Sequence, residues 1–195
     1  MYEVIGSSAS RAFRVLWMLE ELDFPYKHTP AMPQSDEVRT VNPVGKIPVL
    51  RQDGVCISDS IAIMTYLGDV SHQLTCPAGS LERARQDSLT QRISDEMDSV
   101  LWAAARHSFV LPKEHRVPEV KATLKWEYAR NLGFLSEEFE GPYLMGDRIT
   151  VPDLLLTHCL RWARTARFPE PPPPLADYLS RIEARPAVQR VALLP

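Results

Sequence analysis

Apolar positions change their period along this chain, and the changes mark its elements. Residues 1–6 are rich in strand formers and stop at Gly6, with Ser7, Ser8 and Ser10 following, which predicts a strand running into a loop. From Arg11 onward Phe13, Leu16, Trp17, Leu19 and Leu22 recur at helical spacing among the charges Arg14, Glu20 and Glu21. That helix should end before Asp23 and Pro25. Residues 26–32 form a second strand, and strand, helix, strand in this order implies a right-handed crossover between parallel strands. Residues 42–48 hold two prolines and a glycine and predict a loop. Val49-Leu50 and Val55-Cys56-Ile57 then flank Asp53-Gly54 as a hairpin. Ser58-Asp59-Ser60 caps a helix carrying Ile61, Ile63, Met64 and Leu67, ending near Asp69. The first part therefore reads β-α-β, an irregular crossing, then β-β-α.

The pattern then changes. Residues 70–80 turn polar around Pro77 and Gly79 and predict a linker. Residues 81–110 and 120–139 carry no strand signal and repeat apolar positions at helical intervals (Leu89, Ile93, Met97, Val100 and Leu101 in the first). Thr150-Val151-Pro152-Asp153 is a helix start, with Thr150 as cap and Asp153 in the place of the usual Glu. Residues 168–174 hold five prolines and predict an extended segment before a last helix over 175–185. The expected architecture is an α/β thioredoxin-like domain over 1–72, a linker over 73–80 and an all-α domain over 81–195.

Composition narrows the function classes. A net charge of −3 offers no basic field for phosphate backbones or anionic lipid, so neither nucleic acid nor membrane is an expected partner. No apolar run approaches a membrane span and the first residues do not read as a secretory leader, so the chain is expected to be cytoplasmic. Cys56, Cys76 and Cys159 show no C-x-x-C and no His at ligand spacing, which predicts neither disulfides nor a metal site. The four Trp residues, at helical positions, are expected in the core.

Three segments can carry chemistry. Ser7-Ser8-Ala9-Ser10 lies where ligands bind at the carboxyl end of a strand, and a helix N-terminus there favours a thiolate. Its S-x-x-S stands where a thiol-redox protein has C-x-x-C, so the thiol must come from a ligand; plain capping by Ser10 is the competing reading. In residues 42–48, Pro48 opens a strand and suits a cis bond that would offer the main chain of Ile47 to a peptide-like ligand. An ordinary turn is the alternative. Ser58-Asp59-Ser60 offers NH groups, a hydroxyl and a carboxylate to an amino-acid head group, or is simply a cap.

Taken in order, SSASRAFRVLWMLEELDFPY, NPVGKIPVL, SDSIAI, YLMGDRITVPDL and ARPAVQRV resemble the cytosolic glutathione transferase family, in particular bacterial, serine-type members of theta or zeta character. The resemblance covers nearly the whole chain. It implies an enzyme that activates the glutathione thiol for attack on a small hydrophobic electrophile held against the helical domain. A ligand-binding or stress-regulatory protein without turnover, or a peroxidase or reductase, is the alternative. Glutathione would be a co-substrate, with no metal or other cofactor. The resemblance assigns Lys46, Ile47 and Pro48 to the glycyl and cysteinyl parts of glutathione and Asp59 and Ser60 to its γ-glutamyl head. It places thiol activation on Ser10 first, then Ser8 or Ser7, with Arg11 as a nearby cation. It also implies a homodimer, the N-terminal domain of one subunit against the helical domain of the other. The apolar positions of residues 81–110 are a second motive for that dimer.

Overall fold

The computed structural model describes all 195 residues, Met1–Pro195. They form two compact units, one of Met1–Arg83 with Ile182–Pro195 and one of Ala84–Arg181.

In the first unit the strands β1 (Tyr2–Ile5), β2 (Tyr26–Thr29), β3 (Val49–Gln52) and β4 (Val55–Ser58) pair in the order β2-β1-β3-β4. β1 runs parallel to β2 and antiparallel to β3, and β3 is antiparallel to β4. The parallel pair follows from the crossover through α1 (Ala12–Glu21). The hairpin follows from Asp53 and Gly54, both at positive φ (50° and 82°), as a tight turn matching strand twist requires. Two details depart from the sequence expectation. The irregular crossing contains a helix, α2 (Asp36–Val41), capped by Ser35, whose hydroxyl accepts the Val38 N–H. Six residues with one buried position, Val38, are too few to show a period. Arg14, expected on the polar face of α1, is buried, because residues 12–19 are covered all round. α3 (Ser60–Ser71) packs on α1, as does α9 (Pro186–Ala192), which continues the chain beyond the expected last helix. Arg185 and Arg190 tie this segment to Glu21 and Glu20 on α1.

The second unit is helical, from the body of α4 (Leu81–Ile93) to α8 (Pro173–Glu183). A π turn (Ser94–Asp98) separates α4 from α5 (Ser99–Ala105), and a second (Arg106–Val110) follows α5. Ile93, Met97, Val100 and Leu101 are buried, the first π turn and α5 packing on α6 (Val120–Glu138) and α7 (Val151–Thr165), whereas Leu81, Phe109 and Val110 of the same stretch are exposed. Asp153 closes the expected capping box, accepting the Thr150 N–H at 2.8 Å. It also accepts from Leu144 N and the Tyr178 hydroxyl, and burial pushes its carboxyl up to about 6 against those donors. Pro173 and Pro174, expected in the extended segment, begin α8 instead, since proline's fixed φ suits a first helical turn. Trp17 is fully buried, but Trp126 is 60% exposed with Arg130 over its ring. No helix is long and apolar enough to cross a membrane.

Candidate functional site

Gly6 sets the geometry where β1 ends. Its φ of +144° is open to glycine and not to side chains, and a Cβ built on it would lie 3.1 Å from Ile47 Cβ and 3.2 Å from Ala12 Cβ. The serine loop and the loop before β3 therefore touch. Main-chain bonds fix the serine loop from β2 and the segment after it: Gly6 N–H donates to Thr29 O and Ser7 N–H to Ala31 O, each at 3.0 Å. Ile47 packs its side chain against the small core of Ile5, Ala31, Val38 and Val49.

The three serines are not equivalent. Ser10 donates its hydroxyl to Ser7 O at 2.6 Å and accepts the Ala12 N–H at 3.1 Å, so it holds the start of α1. Ser8 donates to Leu194 O at 2.9 Å. Ser7 only accepts, from Ala9 N–H at 3.3 Å, which leaves its proton uncommitted on a half-buried side chain. Arg11 is half-buried at the N-terminus of α1.

The Ile47-Pro48 bond is cis. Neither the N–H nor the C=O of Ile47 has a hydrogen-bond partner in the chain. Around it the loop is well tied: Asn42 Nδ2 donates to Lys46 O at 2.9 Å, and Gln34 donates from its main chain to Gly45 O and from its side chain to Val44 O. The Lys46 side chain is exposed beside this free main-chain pair and makes no ion pair.

Asp59 caps α3, its Oδ1 accepting from Ile61 N–H and Ala62 N–H, with its own φ at +78°. The carboxylate is exposed, and Oδ2 remains open to a cation. Ser60 is 2% exposed and its hydroxyl accepts from Arg14 Nη1 at 3.0 Å. At the first position of the helix its N–H has no intrahelical partner. Arg14, which reads as surface because it is a lone Arg among apolar neighbours, thus connects α1 to the Ser58-Asp59-Ser60 triplet. Gln34 was missed too, since nothing in residues 30–35 signals that it anchors a loop ten residues on.

Sequence spacing also concealed a cluster in the helical unit. Cys159, expected to have no His at ligand spacing, lies with Asp98 and His158, their ligand atoms within 4.8 Å of one another.

Comparison with known proteins identifies two family domains in the chain. Residues 4–71 match the family described as glutathione S-transferase, N-terminal domain, and residues 100–186 match the glutathione S-transferase, C-terminal domain. A curated relative, glutathione S-transferase GstA of Escherichia coli O157:H7, is 30% identical over 159 residues, 79% of this chain and 76% of its own. Maleylacetoacetate isomerase of Dictyostelium discoideum is 28% identical over 167 residues, 80% of this chain and 75% of its own. Among solved structures, a glutathione transferase from Methylococcus capsulatus superposes with a TM-score of 0.83 at 24% identity, covering 98% of this chain and 97% of that one. BphK, a bacterial member, gives 0.84 at 23% identity over 97% and 96%.

Proposed function

Because this chain belongs to the glutathione S-transferase family, we propose that its N-terminal unit binds glutathione and activates the thiol for attack on an electrophilic small molecule. The observation that carries this reading is the contact between Gly6 and Ile47, which joins the loop holding an uncommitted serine hydroxyl to the loop holding an unpaired peptide group. A peptide ligand would accept from Ile47 N–H and donate to Ile47 C=O, as strand addition does. Lys46 would meet the glycyl carboxylate. Asp59 Oδ2 would take the α-ammonium, and Ser60 N–H with its hydroxyl the α-carboxylate, at the positive end of α3.

The hydrogen bonds of the three serines favour Ser7 over Ser10, the first expectation, for thiol activation. To donate to a sulfur, Ser10 would have to give up its bond to the Ser7 carbonyl, and Ser8 its bond to Leu194 O. Ser7 loses nothing. Its O–H donates to the glutathione sulfur, favouring thiolate over thiol, and the N-terminus of α1 adds positive potential. The thiol proton passes to solvent. The thiolate then attacks the acceptor carbon, forming a carbon–sulfur bond as a leaving group departs with its electron pair or, in an addition, as the displaced π electrons take a proton from solvent. Glutathione leaves as part of the product, so it is a co-substrate and no resident cofactor is called for. Arg11 contributes positive charge at the same helix end. We retain the homodimer as part of this reading on family grounds.

The isomerase names of several relatives favour a second outcome at the same site. A thiolate that adds reversibly to a conjugated carbon-carbon double bond allows rotation and then departs, returning glutathione. One assay set separates the two. Calorimetry establishes glutathione binding; a chloronitroaromatic tests conjugation, a peroxide tests reduction, and a cis-enone tests isomerisation with glutathione unconsumed. No measurable glutathione binding at millimolar concentration would sink both.

A further inference from the structure

Asp98, His158 and Cys159 bring a carboxylate oxygen, an imidazole nitrogen and a sulfur within 4.8 Å of one another inside the helical unit, whereas every residue assigned to glutathione belongs to the other unit. All three are well covered, at 6%, 9% and 0% exposure. Their placement has a structural cause. Asp98 ends the π turn Ser94–Asp98, which packs on both α6 and α7. A π turn inserts one residue into the helical register, and such insertions commonly mark functional positions. His158 and Cys159 are adjacent on α7, so their side chains diverge by about 100° around the axis and can flank a point between them. A fourth polar group stands near. Tyr128 on α6 is fully buried, its hydroxyl has no hydrogen-bond partner, and it lies within electrostatic range of Cys159.

We propose that Asp98, His158 and Cys159 bind one divalent transition-metal ion of the zinc class, with a fourth position open to water. The donor set decides the class. One sulfur, one nitrogen and one oxygen suit a borderline ion such as Zn2+ and are wrong for Mg2+ or Ca2+, which take oxygen ligands. Charge agrees, because a thiolate and a carboxylate neutralise a divalent cation and make burial of all three less costly than burial of either anion alone. Bond lengths near 2.3 Å to sulfur and 2.1 Å to nitrogen place those atoms about 3.6 Å apart at a tetrahedral centre. The cluster therefore has to contract by no more than about 1 Å, a movement of side-chain torsions on fixed helices. The Tyr128 hydroxyl is a donor for the thiolate or for the metal-bound water, the outer-shell role that orients ligands in such sites. On binding, the Cys159 S–H bond breaks, the sulfur–metal bond forms and the proton leaves to buffer.

The test uses the full chain with Cys56→Ser and Cys76→Ser, so that any thiolate signal arises from Cys159. After chelator treatment the protein is titrated with Co2+. The expected result is one equivalent bound with thiolate-to-cobalt charge-transfer absorption, displaced by Zn2+, and affinity lower by about 100-fold or more in His158→Gln and in Asp98→Asn. Absence of that absorption at a large excess of Co2+ overturns the proposal, as does absorption that survives both variants. Should a variant fold poorly, the parent protein still decides: Zn2+ must slow reaction of Cys159 with a thiol reagent, and an unchanged rate overturns the site.

Discussion

Gly6 and Ile47 are in such close contact that the space for a Cβ on Gly6 is already taken by Ile47 Cβ, at 3.1 Å. The contact joins the end of β1 to the loop before β3, so two segments forty residues apart share one surface. Glycine is required here twice over, by the +144° φ and by the missing room. Gly6→Ala should cost about 1–3 kcal/mol of stability, the range for a residue forced into a sparsely populated backbone region. It should also raise the glutathione dissociation constant, because Ile47 must move. Urea unfolding and calorimetry read the two effects; a destabilised variant with unchanged affinity would show that Ile47 does not contact the ligand.

The hydrogen bonds of the serine loop separate two variants that sequence alone cannot. Ser7→Ala should lower kcat by about 100-fold, the scale for losing one donor to a developing anion, with little change in KM. The ultraviolet absorbance of enzyme-bound thiolate should fall with it. Ser10→Ala removes a cap that accepts from Ala12 N–H and should cost about 1 kcal/mol of stability with a small effect on kcat. The reverse pattern would return thiol activation to Ser10.

Arg14 Nη1 donates to the Ser60 hydroxyl at 3.0 Å, and both residues are buried. Ser60→Ala removes that charge-assisted bond, so it should destabilise by about 1–3 kcal/mol even without ligand. Asp59→Ala should weaken glutathione binding by a similar amount, and its loss of the cap on α3 should show separately in thermal unfolding. Unaltered glutathione affinity in Asp59→Ala would leave the triplet as a cap only.

The legible parts of this chain are those whose physics is local. Turn chemistry placed the β3–β4 hairpin at Asp53-Gly54, and the Thr150–Asp153 capping box started α7, because each is decided within four residues. The parts that needed coordinates are decided across the fold. Ser10 and Ser7 look alike in sequence, and only their partners, Ser7 O and Ala12 N for one and Ala9 N for the other, tell them apart. Arg14 read as surface because helical period assumes one wet face, whereas α1 is covered by the sheet, α3 and α9 together. The 81–110 stretch showed helical period throughout, yet two π turns interrupt it, since inserting one residue barely disturbs an apolar pattern.

Glu3 lies between its neighbours on both sides of β1, in register with Lys27 on β2 and Arg51 on β3. It accepts a hydrogen bond from the Thr29 hydroxyl at 2.7 Å, pairs with Arg51, and meets Lys27 at 3.1 Å. The Thr29 bond first, then Arg51 and Lys27, outweigh burial and hold its carboxyl down to about 2 from an ordinary 4.5. A folded-state value below the unfolded one means the ionised form is the stabilised one. Its contribution is therefore complete above about pH 4.5 and is lost as pH falls toward 2. Since Lys27 and Arg51 are open to solvent, screening reduces the effect to about 1 kcal/mol. Glu3→Gln should be less stable than the parent at neutral pH and converge with it in acid, while the parent's melting temperature falls more steeply across that window. Parallel melting curves from neutral pH to pH 2 would show that these charges hold no net stability in the sheet.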